Sequence, residues 1–337
     1  MHRLAAALFL GFALAGCASA PSGVQDSAPL LWPEEPDKPR IAFVKAFSRP
    51  DEFGIAKGLL ERVVDALFGA SEAHLVRPMA VIAVKGAVFV ADPGAKGVHR
   101  FDTVAGRYDL IHAEGDLPMP SPVGLAAGSE GEVYVSDSVL AKVLVIRPGA
   151  RVAIEHSLPA MRQPTGIAFD PVNARLIVVD TAAHRVNVFK RDGTVHASYG
   201  GRGAGEGEFN YPTQLWRDAG GRLFVTDSLN YRVQVLDAQG RFVRKFGQAG
   251  DGAGDFMRQK GLATDSFGHV YIVDALLNAL QVFDEAGALL LSVGDLGRGR
   301  GEFWMPAGIF IGEGDTIYVA DSYNRRIQVF RYVGGPT

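Results

Sequence analysis

A strand motif that ends in aspartate recurs six times along this chain of 337 residues. In each copy about four apolar or small residues precede the aspartate, as in Leu-Phe-Val-Thr-Asp at 223–227. The copies are 43 to 47 residues apart. Such a period is typical of folds in which one small structural unit stacks on the next. The six aspartates are Asp92, Asp137, Asp180, Asp227, Asp274 and Asp321.

Each motif belongs to a longer unit of four strands. A short strand precedes it, as at 164–169, and a strand that alternates apolar and polar residues follows, as in Val-Gln-Val-Leu at 233–236. This alternation indicates one buried face. A turn and a fourth strand, as at 241–246, complete the unit. Four antiparallel strands in roughly 45 residues predict a propeller blade.

The last unit lacks a fourth strand, but residues 40–47 (Arg-Ile-Ala-Phe-Val-Lys-Ala-Phe) resemble the fourth strands of the other units. Pairing this segment with the last unit would close the ring and remove an exposed sheet edge. We therefore predict an all-β fold over 40–332. It is a six-bladed β-propeller of four-stranded antiparallel blades, with the last blade closed by the N-terminal strand.

The sixth unit carries the most specific pattern. It reads Gly-Glu-Phe-Trp-Met-Pro at 301–306 and Tyr-Val-Ala-Asp-Ser-Tyr-Asn-Arg-Arg-Ile-Gln-Val-Phe at 318–330. This pattern resembles the NHL repeat, and the resemblance implies a propeller of the NHL or TolB-like type. It covers about 40–332 and is stronger from 164 onward. In the first two units Gly97 and Lys142 stand where the pattern has arginine.

The repeated polar residues are expected to be structural. An aspartate at a strand end can accept hydrogen bonds from the N–H groups of the next turn. Three arginines follow their aspartates by five residues, and each can bridge the turn to that carboxylate or to a carbonyl. They are Arg185, Arg232 and Arg326. Because the pair recurs in several blades, it does not predict a single catalytic site.

The N-terminus has the pattern of a targeting segment. Residues 1–17 combine a basic start, an apolar run at 4–14 and Leu-Ala-Gly-Cys at 14–17. The run is too short to span a membrane. The last four residues resemble a lipobox, and this implies lipidation of Cys17, the only cysteine. Ala18, where inner-membrane lipoproteins carry aspartate, implies an anchor in the outer membrane facing the periplasm.

Two further segments stand apart from the repeat. Residues 18–39 alternate proline with serine, aspartate and glutamate, and this composition predicts a disordered tether. Residues 51–69 place several apolar side chains on one helical face before Gly69, so we predict one short helix in a linker. This helix can pack on the ring as a cap, dock a partner or cover the channel.

The candidate binding residues lie on one face of the ring. In a propeller, the linkers from outer to inner strands and the turns from second to third strands emerge together. Aromatic residues and arginine are enriched in binding hot spots. The candidates on this face are Arg202, Asn210, Tyr211, Tyr231, Met257, Arg258, Arg298, Arg300, Trp304, Met305 and Tyr323.

The sequence favours a binding protein over an enzyme. Some six-bladed relatives are metal-dependent lyases or lactonases, and this alternative stays open. The inner strands contain no histidine, so a three-histidine zinc site is not expected and no catalytic residue is assigned. Asp170 and Asp265 end inner strands and leave open a calcium ion in the channel. Otherwise we expect no cofactor.

The expected partner is a protein or small ligand on the linker-and-turn face. The net charge of −3 lacks the basic stripe that nucleic-acid binding requires. The lipid anchor on Cys17 would provide the contact with the membrane. We expect the protein to be a monomer. The predicted function is therefore an envelope-tethered binding or scaffold propeller.

Overall fold

The structure, a computed structural model, describes residues 29–34, 36–53, 55 and 73–335. Cys17, most of the predicted tether and most of the predicted helix at 51–69 lie outside these residues. At the start of that helix the structure has a short 3-10 turn, Asp51–Phe53. Within the described residues no helix is long and apolar enough to cross a membrane.

Strands arranged in six radial blades make up the described chain. Before the first blade come β1 (Leu31–Trp32) and β2 (Ile41–Phe47). Blade 1 contains β3 (Ala80–Val84), β4 (Ala87–Asp92), β5 (Gly97–Asp102) and β6 (Arg107–Ala113). Blade 2 contains β7 (Pro122–Ala127), β8 (Val133–Asp137), β9 (Lys142–Ile146) and β10 (Val152–His156). Blade 3 contains β11 (Pro164–Asp170), β12 (Arg175–Asp180), β13 (Arg185–Phe189) and β14 (Val195–Tyr199).

The remaining blades follow the same order from the inner to the outer strand. Blade 4 contains β15 (Pro212–Arg217), β16 (Leu223–Asp227), β17 (Arg232–Leu236) and β18 (Phe242–Phe246). Blade 5 contains β19 (Gln259–Thr264), β20 (Val270–Asp274), β21 (Ala279–Phe283) and β22 (Leu289–Val293). Blade 6 contains β23 (Ile309–Gly312), β24 (Thr316–Asp321) and β25 (Arg326–Tyr332). Short 3-10 turns lie at Glu114–Asp116, Thr181–Ala183, Ser228–Asn230 and Glu313–Asp315.

The N-terminal strand closes the ring, as predicted. Strand β2 pairs antiparallel with β25, with Ile41 opposite Tyr332 and Phe47 opposite Ile327. Blade 6 therefore combines three strands from the C-terminal end of the chain with one from near its start. The six-bladed, all-β prediction is confirmed.

The predicted tether differs from the structure at its ring-side end. Leu31–Trp32 forms a strand that pairs with β2 rather than remaining disordered. The Trp32 ring lies edge-on to the buried Phe330, with 5.8 Å between ring centroids. An aromatic side chain that covers this edge of blade 6 gains enough apolar burial to order the short strand.

Blades 1 and 2 are joined at their outer edges. Strands β6 and β10 pair in parallel, so the two blades form one eight-stranded sheet. The buried guanidinium of Arg100 links them, because it donates to Asp109 at 2.6 Å and to the carbonyl of Ala150 at 2.9 Å. The other blades keep separate sheets.

A glycine and a phenylalanine fix each of three linkers between blades. Phe209, Phe256 and Phe303 are fully buried in apolar clusters that neighbouring blades share. Each ring packs against a glycine that ends the preceding outer strand with left-handed backbone. At Gly247, with φ of 92°, an added Cβ would lie 2.1 Å from the Phe256 ring. These three aromatic side chains therefore fill the space between neighbouring blades.

We expect Gly247→Ala to lower the free energy of unfolding by about 2–4 kcal/mol, because the methyl group overlaps Phe256 and the backbone stays left-handed. Urea unfolding at equilibrium measures this change. Gly201→Ala is the matched control, since an added Cβ there meets nothing within 4 Å. Equal stability of the two variants would contradict the assigned role of Gly247.

Candidate functional site: the seam groove on the linker-and-turn face

The six repeated aspartates organise the linker-and-turn face. Each carboxylate is buried at the end of its strand and accepts N–H groups from the linker that enters the same blade. Asp274, for example, accepts the N–H groups of Met257 at 2.9 Å and Arg258 at 2.8 Å, and also that of Leu276 at 3.0 Å. One carboxylate thereby fixes both the linker and the turn.

Two of the three predicted arginines strengthen this contact. The Nε atom of Arg232 donates to Asp227 at 2.7 Å, and Arg326 donates to Asp321 over the same distance. The remaining guanidinium N–H groups of Arg326 bond to carbonyls of the incoming linker, including that of Arg298 at 2.8 Å. Among the described residues Arg185 forms no ion pair with Asp180, and its side chain is exposed.

Residues with left-handed backbone in the turns contact the next blade. The φ of His184 is 55°, and its Nδ1 accepts the N–H of Tyr211 at 3.1 Å, with 4.6 Å between the two ring centroids. Asn278, with φ of 54°, accepts the N–H of Met305 at 2.9 Å. Each turn is therefore placed beside the end of the following linker.

At the seam between blades 6 and 1 the same elements surround a groove of about 870 Å³. The Trp304 and Tyr323 rings lie 5.6 Å apart, and the Arg298 guanidinium lies 5.2 Å from the Trp304 ring centroid. Both rings are partly exposed, Tyr323 by 51%. The described lining of this seam groove is Val76, Arg77, Gly94, Arg298, Trp304, Ser322, Tyr323, Asn324, Arg325 and Arg326.

The structure brings together three of the predicted binding residues, Arg298, Trp304 and Tyr323. Arg300 lies elsewhere, because its guanidinium is 5.8 Å from the ring of Phe43 on the outer strand of blade 6. Met305 bonds to Asn278 and is only partly exposed. The other predicted residues lie on the linkers and turns of blades 4 and 5: Arg202, Asn210, Tyr211, Tyr231, Met257 and Arg258.

Sequence reasoning did not select two groove arginines, Arg77 and Arg325. Arg77 precedes Pro78 just as Met305 precedes Pro306, so an alignment of the blades would have marked the position. Arg325 has left-handed backbone with φ of 56°, as Asn278 does in the preceding blade. The weaker repeat pattern before 164 hid the first of them.

The central channel differs in character from the groove. It is lined mainly by apolar residues and glycines of the inner strands around a volume of about 190 Å³, and Trp216 donates there to the hydroxyl of Thr264 at 2.9 Å. Lys260, near the start of the inner strand β19, is half-buried. Burial, with a smaller contribution from nearby Arg258, lowers the pKa of Lys260.

The two carboxylates predicted as calcium ligands have other partners. Asp170 pairs with Arg217 at 2.9 Å, and Asp265 bonds to the ring of His269 at 2.7 Å and to the hydroxyl of Tyr271 at 2.9 Å. Across the described ranges no group of three or more His, Cys, Asp or Glu is arranged to hold a metal ion.

Comparison with known proteins agrees with this architecture. A family model described as a 6-bladed beta-propeller (DUF5128) matches residues 215–275 and 262–335. No curated protein matches the sequence. An auxiliary nutrient binding protein from Bacteroides thetaiotaomicron shares 11% identity with a TM-score of 0.62, over 78% of this chain and 71% of its own.

Two further solved structures have similar folds. Virginiamycin B lyase from Staphylococcus aureus shares 17% identity with a TM-score of 0.55, over 77% of this chain and 96% of its own. A putative gluconolactonase shares 16% identity with a TM-score of 0.57, over 77% of this chain and 89% of its own. Such low identities show the fold alone. The protein is a six-bladed β-propeller, and its resemblance to NHL repeats stays a prediction.

Asp92 supports the groove from behind, because its carboxylate accepts the N–H groups of Val76 at 2.7 Å and Arg77 at 2.9 Å. Burial acts to raise the pKa of Asp92, but the His99 ring, with its Nε2 atom 3.4 Å from the carboxylate, and hydrogen bonds from the N–H groups of Val76 and Ala95 outweigh burial, so the pKa is lowered. The ionised carboxylate therefore stabilises the fold above the ordinary aspartate pKa. This contribution is lost as the pH falls through the lowered folded-state pKa.

We expect Asp92→Asn to lower the free energy of unfolding at pH 7 by about 1–3 kcal/mol, because the amide keeps one acceptor oxygen and replaces the other with an NH2 group, so at least one buried N–H loses its acceptor. The difference from wild type should narrow below about pH 4. Urea unfolding over a pH series measures both effects. Asp251→Asn, at an exposed position without a described side-chain contact, should stay within about 0.5 kcal/mol of wild type. A pH-independent deficit in Asp92→Asn would contradict the assigned ionisation.

Proposed function

We propose that this protein is an envelope-tethered binding propeller that holds a protein or small-ligand partner in the seam groove. The observation that carries the proposal is the exposure of the Trp304 and Tyr323 rings beside arginines that line the same groove. Exposed aromatic and arginine side chains in a concave site are typical of binding hot spots. A rigid ring of blades holds them in place.

The alternative, a metal-dependent lyase or lactonase, has less support. Two solved structures with similar folds bear such names, but the likeness extends to the fold alone. An enzyme of that kind needs a group of metal ligands, and the part of the chain described here brings together no three such side chains. The groove instead offers side chains that bind.

The binding proposal is tested by replacing Tyr323 with a photo-cross-linking amino acid in cells that make the full chain. We expect a specific cross-linked product from this position, because the side chain is exposed in the groove. Val172, which is 79% exposed in a turn on the opposite face, is the control position. Equal products from both positions, or none from Tyr323, would oppose the proposal.

The location is part of the same proposal. The lipobox-like sequence at 14–17 supports an anchor on Cys17, in the outer membrane facing the periplasm. We expect Cys17→Ala to move the protein out of the membrane fraction, because several acyl chains are needed for stable anchoring. Fractionation and mass spectrometry of the N-terminal peptide measure this effect, with Ser19→Ala as the control. An unmodified, cleaved wild-type N-terminus would contradict lipidation.

A further inference from the structure

Comparison of equivalent positions in the repeated blades shows which groove residues the fold requires and which it does not. The carbonyl of Arg298 accepts a hydrogen bond from Arg326, and the carbonyl of Ala204 accepts the equivalent bond from Arg232, both at 2.8 Å. Positions 298 and 204 are therefore equivalent. Since alanine satisfies the fold in blade 4, the guanidinium of Arg298 is not needed to build the linker.

The two groove aromatics depart from the repeat in the same way. The N–H of Trp304 donates to Asp321, as that of Asn210 donates to Asp227. The N–H of Tyr323 donates to the carbonyl of Trp304 at 3.1 Å, and Leu229 makes the equivalent bond in blade 4 at 3.0 Å. An amide and an aliphatic side chain thus satisfy the fold where the groove has two aromatic rings.

The groove also concentrates positive charge. Arg326 is neutralised by Asp321, but Arg77, Arg298 and Arg325 are exposed and form no ion pair with any described residue. No described residue of the lining is acidic. These unpaired guanidinium groups make the groove a site of positive potential in a protein with a net charge of −3.

Two of these charges lie on opposite sides of the boundary between blades 6 and 1, and both line the groove. Arg325 and Arg77 occupy the positions that Asn278 and Met305 occupy at the preceding boundary, where the two residues are hydrogen-bonded. At the seam the corresponding side chains are both cations and line one groove. Like charges at neighbouring positions repel, and an anion between them removes the repulsion.

The geometry selects the kind of anion. The backbone N–H groups of Val76, Arg77 and Trp304 are already bonded to buried aspartates, so they cannot cradle a phosphate. The Arg298 guanidinium covers one face of Trp304, and this leaves less flat surface for stacking on a sugar. The free guanidinium forks match carboxylates as well as phosphates, and the tryptophan, tyrosine and arginine side chains together are typical of protein-binding hot spots.

We propose that the seam groove binds an acidic peptide segment of a protein partner, with glutamate or aspartate carboxylates held between Arg77, Arg298 and Arg325. The inference rests on the proposed binding function and deepens it by naming the chemistry of the partner. Charge complementarity carries the assignment, and the Trp304 and Tyr323 rings supply apolar contact beside the charged groups.

Fluorescence anisotropy of a labelled oligoglutamate peptide with the purified full chain in detergent tests the proposal. We expect saturable binding that weakens at high ionic strength, and much weaker binding of oligoglutamine. The double variant Arg298→Gln/Arg325→Gln should lose about tenfold in affinity for each arginine removed. Thermal unfolding monitors the fold of every variant.

The matched control is Arg147→Gln/Lys190→Gln, which removes the same charge from exposed positions that follow the third strands of blades 2 and 3, outside the groove. It should bind oligoglutamate as wild type does. An equal loss in both double variants would show attraction by net charge alone and overturn the proposal. Equal binding of oligoglutamine by wild type would overturn the proposal as well. The ionic-strength dependence and the comparison with oligoglutamine use wild type alone, so they test the proposal even where a variant fails to fold.

Competition separates the rival anions. Inorganic phosphate, polygalacturonate and unlabelled oligoglutamate are compared at equal concentrations of their anionic groups. If phosphate or polygalacturonate displaces the labelled peptide at a lower concentration than oligoglutamate does, the peptide assignment is wrong. The photo-cross-link at Tyr323 separates this failure from that of the binding function. A cross-linked product that persists in Arg298→Gln/Arg325→Gln would contradict the acidic-peptide proposal and still support the binding function. The absence of any product in wild type would contradict the binding function itself.

Discussion

The buried aspartate at the end of each second strand is the interaction on which the face of this propeller depends. Its carboxylate accepts N–H groups that belong to no strand, and an unpaired buried N–H costs about 1–3 kcal/mol. In Asp92 these donors are the linker residues that carry Arg77 to the groove. The same contact therefore stabilises a blade and positions a surface. Because it recurs in all six blades, it leaves the neighbouring side chains free to vary.

The seam groove shows what that freedom allows. Blades 4 and 6 share their backbone hydrogen bonds almost residue for residue, yet blade 6 carries Arg298 and Trp304 where blade 4 carries Ala204 and Asn210. A repeated scaffold provides its own internal control, since recurring residues mark structure and departures mark candidates for function. The apolar channel offers no comparable group of polar side chains among the described residues.

The sequence was sufficient for the fold because period and alternation report directly on strand pairing. It predicted the closing strand Ile41–Phe47 and the face that carries the groove. The site was harder to predict. Eleven candidates were spread over three blades, and only the folded geometry showed that three of them, all in blade 6, line one groove with Arg325 and, across the seam, Arg77. Residues Leu31–Trp32 form an ordered strand because Trp32 packs on Phe330. Local composition does not reveal this tertiary contact.

The seam where β2 meets β25 has a consequence for the order of folding. The paired residues Ile41 and Tyr332 are separated by nearly the whole length of the ring, so this contact carries the largest loop-closure entropy in the molecule. Blades 2 to 5 can form as the chain emerges, whereas blade 6 waits for the last strand. The groove spans blades 6 and 1, so it takes shape only after β25 has been made and has paired. A partner that binds the groove as proposed would therefore meet only molecules whose ring is closed.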